Sequence, residues 1–75
     1  MYQVDVSALR KKMVDCNIRT YTELALHSGI DRNTISKIFS NSVKPSTVAI
    51  EKLMIALKIQ PEQVGPVFFS RILRE

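Results

Sequence analysis

The residues best placed to do chemistry lie between Arg32 and Ile50. No Asp or Glu occurs in that stretch, whereas Arg32, Lys37 and Lys44 do, and Arg10, Lys11, Lys12 and Arg19 precede it. Such a stretch can lie against phosphates without like-charge repulsion. The chain carries 11 basic and 7 acidic side chains, a formal charge of +4, which favours a polyanionic partner and says nothing about fold. Small basic proteins show acid-free gaps by composition alone, so charge by itself leaves nucleic-acid binding and an ordinary solvated surface both open.

Catalytic chemistry has little to stand on. The sequence offers no glycine-rich phosphate loop, no paired carboxylates with a reason to be perturbed, and no nucleophile beside a base, so no enzyme is expected. One cysteine, Cys16, cannot close an internal disulfide, and together with the one histidine, His27, it makes too few ligands for a structural zinc site. No cofactor and no metal are therefore expected. Cys16 reads as a small apolar residue near the end of a first helix and His27 as a surface side chain on a second. No apolar run approaches the ~18 residues of a membrane span, and the amino terminus, with Asp5 and charged Arg10 to Lys12, lacks a signal peptide's layout. A cytoplasmic protein with no membrane partner is expected.

The elements that must position the basic residues follow from punctuation and period. Seventy-five residues suit one domain near the lower size limit for a self-supporting apolar core. The breaks are Ser28-Gly29, Lys44-Pro45, Gln60-Pro61 and Gly65-Pro66. Ser7 is an N-cap candidate for a first helix reaching Asp15 or Cys16, with Leu9 and Met13 inward and Arg10, Lys11 and Lys12 mostly in solvent. Thr20 and Glu23 form a capping box: the Thr20 hydroxyl can accept from the Glu23 amide while the Glu23 carboxylate reaches the Thr20 amide. A second helix then starts at Tyr21, turns Leu24 and Ala25 inward, and stops at Gly29, which can take a positive φ.

Asp31 caps a third helix, 32–40, with Ile35 and Ile38 on one face and Arg32, Asn33, Ser36 and Lys37 on others. Ser46 caps a fourth, in which Ile50, Leu53 and Leu57, with Met54 and Ala56, make a broad core stripe. Pro61 opens a last turn to about Val64, where Gly65-Pro66 is expected to stop it. The tail, 65–75, is apolar. Phe68, Phe69, Ile72 and Leu73 share helical spacing, but Val67-Phe68-Phe69 also reads as a strand, and Tyr2, Val4 and Val6 alternate, so the termini can pair as a small ribbon. The reading is an all-α bundle of about five short helices: one domain over 1–75, a core over 7–64, and a tail that either folds over the first helix or serves self-association.

Two short helices joined by a tight glycine turn make a helix-turn-helix, provided Leu24, Ile30, Ile35 and Ile38 bury together and the small Ala25 lets the third helix cross the second closely. At these residues the chain resembles the Xre family, the lambda-repressor-like or Cro-like helix-turn-helix proteins. Thr20-Tyr21-Thr22-Glu23-Leu24-Ala25 looks like that family's T-x-x-E-L-A, and Gly29 to Ile38 looks like G-[VI]-[ST]-x-x-T-I-S-x-[IW]. Lys44-Pro45-Ser46 followed by Leu53, Ala56 and Leu57 resembles the fourth helix, and Pro61-Glu62-Gln63-Val64 the closing one. Three positions depart from the pattern: Ser28 stands for an apolar residue, Ser40-Asn41 for Asn-Gly, and Lys58 for a C-cap glycine.

The resemblance implies that Arg32, Asn33 and Lys37, helped by Thr34 and Ser36, touch base edges in the major groove of double-stranded DNA. The chemistry suits this: Arg or Lys donates to guanine O6 and N7, and Asn bridges adenine N6 and N7. Lys37 can alternatively bind phosphate. By the same resemblance Tyr21, Asn41 and Lys44 match phosphate-contact positions, with Arg19 and Thr20 as weaker members. It further implies a sequence-specific transcriptional regulator, a repressor that occludes a promoter; because one recognition helix reads only a few base pairs, a homodimer on two half-sites about one DNA turn apart is expected. The competing reading is a protein-interaction module, such as an antitoxin whose tail around Phe68, Phe69 and Ile72 binds a protein partner.

Overall fold

Local capping sets the element boundaries. The structure is a computed structural model that describes residues 2–71. Five short helices follow one another: α1 (Val6–Asp15), α2 (Tyr21–Ser28), α3 (Arg32–Phe39), α4 (Thr47–Leu57) and α5 (Val64–Phe68), the last preceded by a 3₁₀ turn at Pro61–Gln63. Thr20, Asp31 and Ser46 cap α2, α3 and α4 by accepting from the amides of Glu23, Asn33 and Ala49 at 3.0, 2.9 and 3.1 Å. Each satisfies a donor that the helix itself leaves unpaired.

Two details differ from the sequence reading. The cap of α1 is Asp5, whose carboxylate accepts from the Ala8 amide at 3.1 Å, and Ser7 falls inside the first turn. The cause is tertiary: the Asp5 amide donates to the Val67 carbonyl at 2.7 Å, and Asp5 keeps extended backbone, so the helix begins at Val6, ahead of the start a Ser7 cap would give. At α2 the Glu23 carboxylate reaches the Arg19 amide, at 2.6 Å, one residue before the Thr20 amide that the capping-box pattern names.

The first four helices end in a shared way. Asn17, Gly29, Asn41 and Lys58 all take positive φ, from 54 to 77°. After α1, Ile18 donates to Met13 at 2.8 Å and Asn17 to Val14 at 3.0 Å. After α3, Ser42 donates to Lys37 and Asn41 to Ile38; after α4, Ile59 donates to Met54 and Lys58 to Ile55. These paired bonds are Schellman closures, which recover carbonyls the helix would leave free. Gly29 ends α2 with one bond to the Ala25 carbonyl, 2.8 Å. The Ser28 hydroxyl, standing for the apolar residue of the family pattern, accepts from the Ile30 amide at 3.1 Å and so holds the turn.

Apolar spacing then builds one core. Leu9, Leu24, Ile35, Ile38, Leu53 and Leu57 are fully buried, joined by Met13, Ile18, Ile30, Phe39, Ile50 and Ile59. Each buried aliphatic contributes roughly 1.5–3 kcal/mol over its exposed state. Among the described residues no polar or charged side chain is buried. α2 packs on α3 and α4, and α1 packs on α4 and α5. Leu24, Ile30, Ile35 and Ile38 bury together, and Ala25 sits half-buried against them.

The tail resolves into helix and then strand. Gly65-Pro66 does not stop the chain; Pro66 is the third residue of α5, within the first turn, where a missing amide costs no intrahelical bond. Val67 and Phe68 are therefore helical rather than part of a strand, and are 6% and 2% exposed. Their burial, with the packing of α5 on α1, means this part of the tail folds back over the first helix. Tyr2–Gln3 (β1) and Ser70–Arg71 (β2) pair antiparallel, Tyr2 opposite Arg71 and Gln3 opposite Ser70. The expected ribbon of termini exists, shorter than the Tyr2, Val4, Val6 alternation suggests, because Val6 already belongs to α1. Ile72 and Leu73 lie outside the described residues.

Candidate nucleic-acid interface

α3 is an amphipathic helix with one buried wall and one polar wall. Ile35, Ile38 and Phe39 are buried, whereas Arg32, Asn33, Thr34, Ser36 and Lys37 are all exposed. The three buried residues weld α3 to the core, so the five polar side chains share a surface whose backbone is fixed by packing. Asp31, by accepting from the Asn33 amide, sets where that surface begins. Arg32 and Asn33 thus stand in the first turn and Lys37 in the last, one turn of helix beyond Asn33.

The corner between α2 and α3 is fixed at both sides. Gly29 makes the turn with φ 77°. Tyr21, first residue of α2, sets its ring 4.8 Å from that of Phe39, last residue of α3, at 47° between planes. The tilted pair adds roughly 0.5–1.5 kcal/mol beyond burial. Tyr21 is half-buried, so its ring serves packing while its residue remains part of the surface.

The other proposed phosphate residues divide by use. Arg19 and Thr20 are exposed ahead of α2, and the Thr20 hydroxyl oxygen already accepts the Glu23 amide. Lys44 is exposed in the loop between α3 and α4. Asn41 differs: its carboxamide accepts from the Val4 amide at 2.9 Å and donates to the Val4 carbonyl at 3.3 Å. Its side chain closes the loop after α3 onto the amino-terminal segment across 37 residues, which leaves one amide hydrogen for any other partner.

Arg10, which the sequence places on the solvent side of α1, is brought beside the start of α2. It lines a shallow groove with Asn17, Arg19 and Tyr21, so two guanidinium-bearing residues from different segments share one concave surface with the tyrosine. The signal available in sequence was only its charge, since nothing local links α1 to the start of α2. A second groove forms where the loop after α3 meets the tail, and Val4, Asn41, Val43, Lys44 and Phe69 contribute to it. His27 is exposed on α2, and Cys16 is a half-buried free thiol packed against the core.

Residues 8–64, most of the chain, match the family model described as a Cro/C1-type HTH DNA-binding domain. No curated protein and no solved structure matches the chain.

Proposed function

Because the chain belongs to the Cro/C1-type helix-turn-helix DNA-binding domain family, we propose that this DNA-binding regulator is sequence-specific, reads the major groove of double-stranded DNA with α3, and represses transcription by occluding a promoter. The observation that carries the reading is the division of α3: Ile35, Ile38 and Phe39 locked in the core, and Arg32, Asn33, Thr34, Ser36 and Lys37 all outward. Arg32 and Asn33, at the leading end of the helix, are the base readers, with Lys37 on a base or a phosphate further along. Arg19, Thr20, Tyr21 and Lys44 bind the flanking phosphates and set the register, with Asn41 limited to its remaining amide hydrogen.

One short helix reads only a few base pairs, so the active form on DNA is a homodimer spanning two half-sites roughly 34–36 Å apart. Selection of bound sites from random duplex DNA tests the proposal. The expected result is a recurrent motif with inverted half-sites; equal retention of scrambled duplexes would overturn it. The competing partner-binding reading loses Phe68, which is buried, and rests on Phe69, 50% exposed at the end of α5, and on Ile72, outside the described residues.

A further inference from the structure

α4 carries an outward face that its core packing does not explain. Its inward stripe is Ala49, Ile50, Leu53 and Leu57. On the opposite side, Val48 is 58% and Ile55 80% exposed, with exposed Glu51 and Lys52 between them. Positions 48, 51, 52 and 55 follow the i, i+3, i+4, i+7 spacing and so form a single stripe along the helix. Read in order, the stripe is apolar, acidic, basic, apolar. Reversed, it keeps its apolar ends and exchanges its two charges.

That symmetry selects the partner. Two copies of α4 laid antiparallel across a two-fold axis midway between Glu51 and Lys52 place Val48 against the partner's Ile55 and Glu51 against the partner's Lys52. The same two contacts repeat on the other side of the axis, as an isologous interface requires. A parallel arrangement would instead oppose Glu51 to the partner's Glu51. We infer that the outward face of α4 is a self-complementary homodimer surface. This names the interface for the dimer in the proposed function and rests on that reading only for its purpose, since the association itself needs no DNA. A single helix pair falls below the standard interface of about 1,600 Å², so the dimer in free solution is weak.

Sedimentation equilibrium of the full chain without DNA, from about 1 μM to 1 mM, tests the inference with Glu51→Lys, Lys52→Glu and the double exchange. Each single reversal makes two like-charge contacts by symmetry and should weaken dimerisation by about tenfold. The double exchange should restore it to within about threefold. The four positions are exposed, so circular dichroism should show the fold intact in every variant. A general charge effect would move the two single variants in opposite directions, because one raises and the other lowers the net charge. That outcome overturns the inference, as does a wild-type monomer throughout, single reversals without effect, or a double exchange no better than either single. Binding of each variant to one half-site duplex, with measured affinity unchanged, keeps this result separate from the DNA reading: no half-site binding by wild type would sink the latter alone.

Discussion

Lys58→Gly should make this protein more stable, although it removes a charged side chain and adds nothing to the core. Lys58 follows α4 with φ 54° and ψ 43°, the left-handed region, and is exposed. A residue with a Cβ pays about 1–2 kcal/mol there, and glycine does not. Glycine also enlarges the freedom of the unfolded chain, which offsets roughly 0.5–1 kcal/mol. The net expectation is about 0.5–1 kcal/mol of added stability. The two closing bonds, from Lys58 to Ile55 and from Ile59 to Met54, use backbone atoms only and should persist. For a domain of this size that gain raises Tm by roughly 2–8 °C in a thermal melt followed by circular dichroism. Lys58→Ala is the control, since it keeps the Cβ and loses the charge. A glycine variant no more stable than the alanine variant would refute the reasoning, by showing that the backbone conformation at this helix end carries no strain to relieve.

Three further outcomes follow from the interface. Arg32→Ala should cost ~1–3 kcal/mol at one base-pair position of the selected site and relax preference there, read by competition with single-position variants of the duplex; uniform weakening on every sequence would argue against base readout. Lys44→Ala should weaken binding to all duplexes alike and flatten the dependence of log affinity on log salt by ~1 unit, so an unchanged slope removes Lys44 from the phosphate set. Asn41→Ala breaks both bonds to Val4 and puts alanine, which tolerates the left-handed region less well than asparagine, at φ 58°. It should cost about 1–3 kcal/mol in urea unfolding, and an unchanged midpoint would mean the clamp contributes nothing.

The caps and the two walls of α3 were legible in sequence because their causes are local. A side chain capping an amide two or three residues ahead, as Thr20, Asp31 and Ser46 do, needs no knowledge of the rest of the chain. The same holds for the buried wall of α3, because a helix places Ile35 and Ile38 on one side whatever they pack against, and so leaves Arg32, Asn33, Ser36 and Lys37 to the other sides. Other positions were settled at a distance. Asp5 rather than Ser7 caps α1 because the Val67 carbonyl holds the Asp5 amide, and nothing near either residue announces that bond. Lys58 and Asn41 stand where the family pattern has glycine and keep the left-handed conformation of that position, since the next residues must turn back into the core or onto the loop.

The order of caps, apolar spacings and the glycine at position 29 determined by itself that this chain forms short helices with a bend between the second and third. Those features act over four residues or fewer, within the reach of one helical turn. The tertiary structure alone decided that Asn41 grips Val4, that Arg10 joins Arg19 and Tyr21 along one groove, and that Val67 and Phe68 fold onto α1 while Phe69 stays half in solvent. Each of these depends on which segments meet once the core has closed, and side-chain spacing along a single helix carries no record of that.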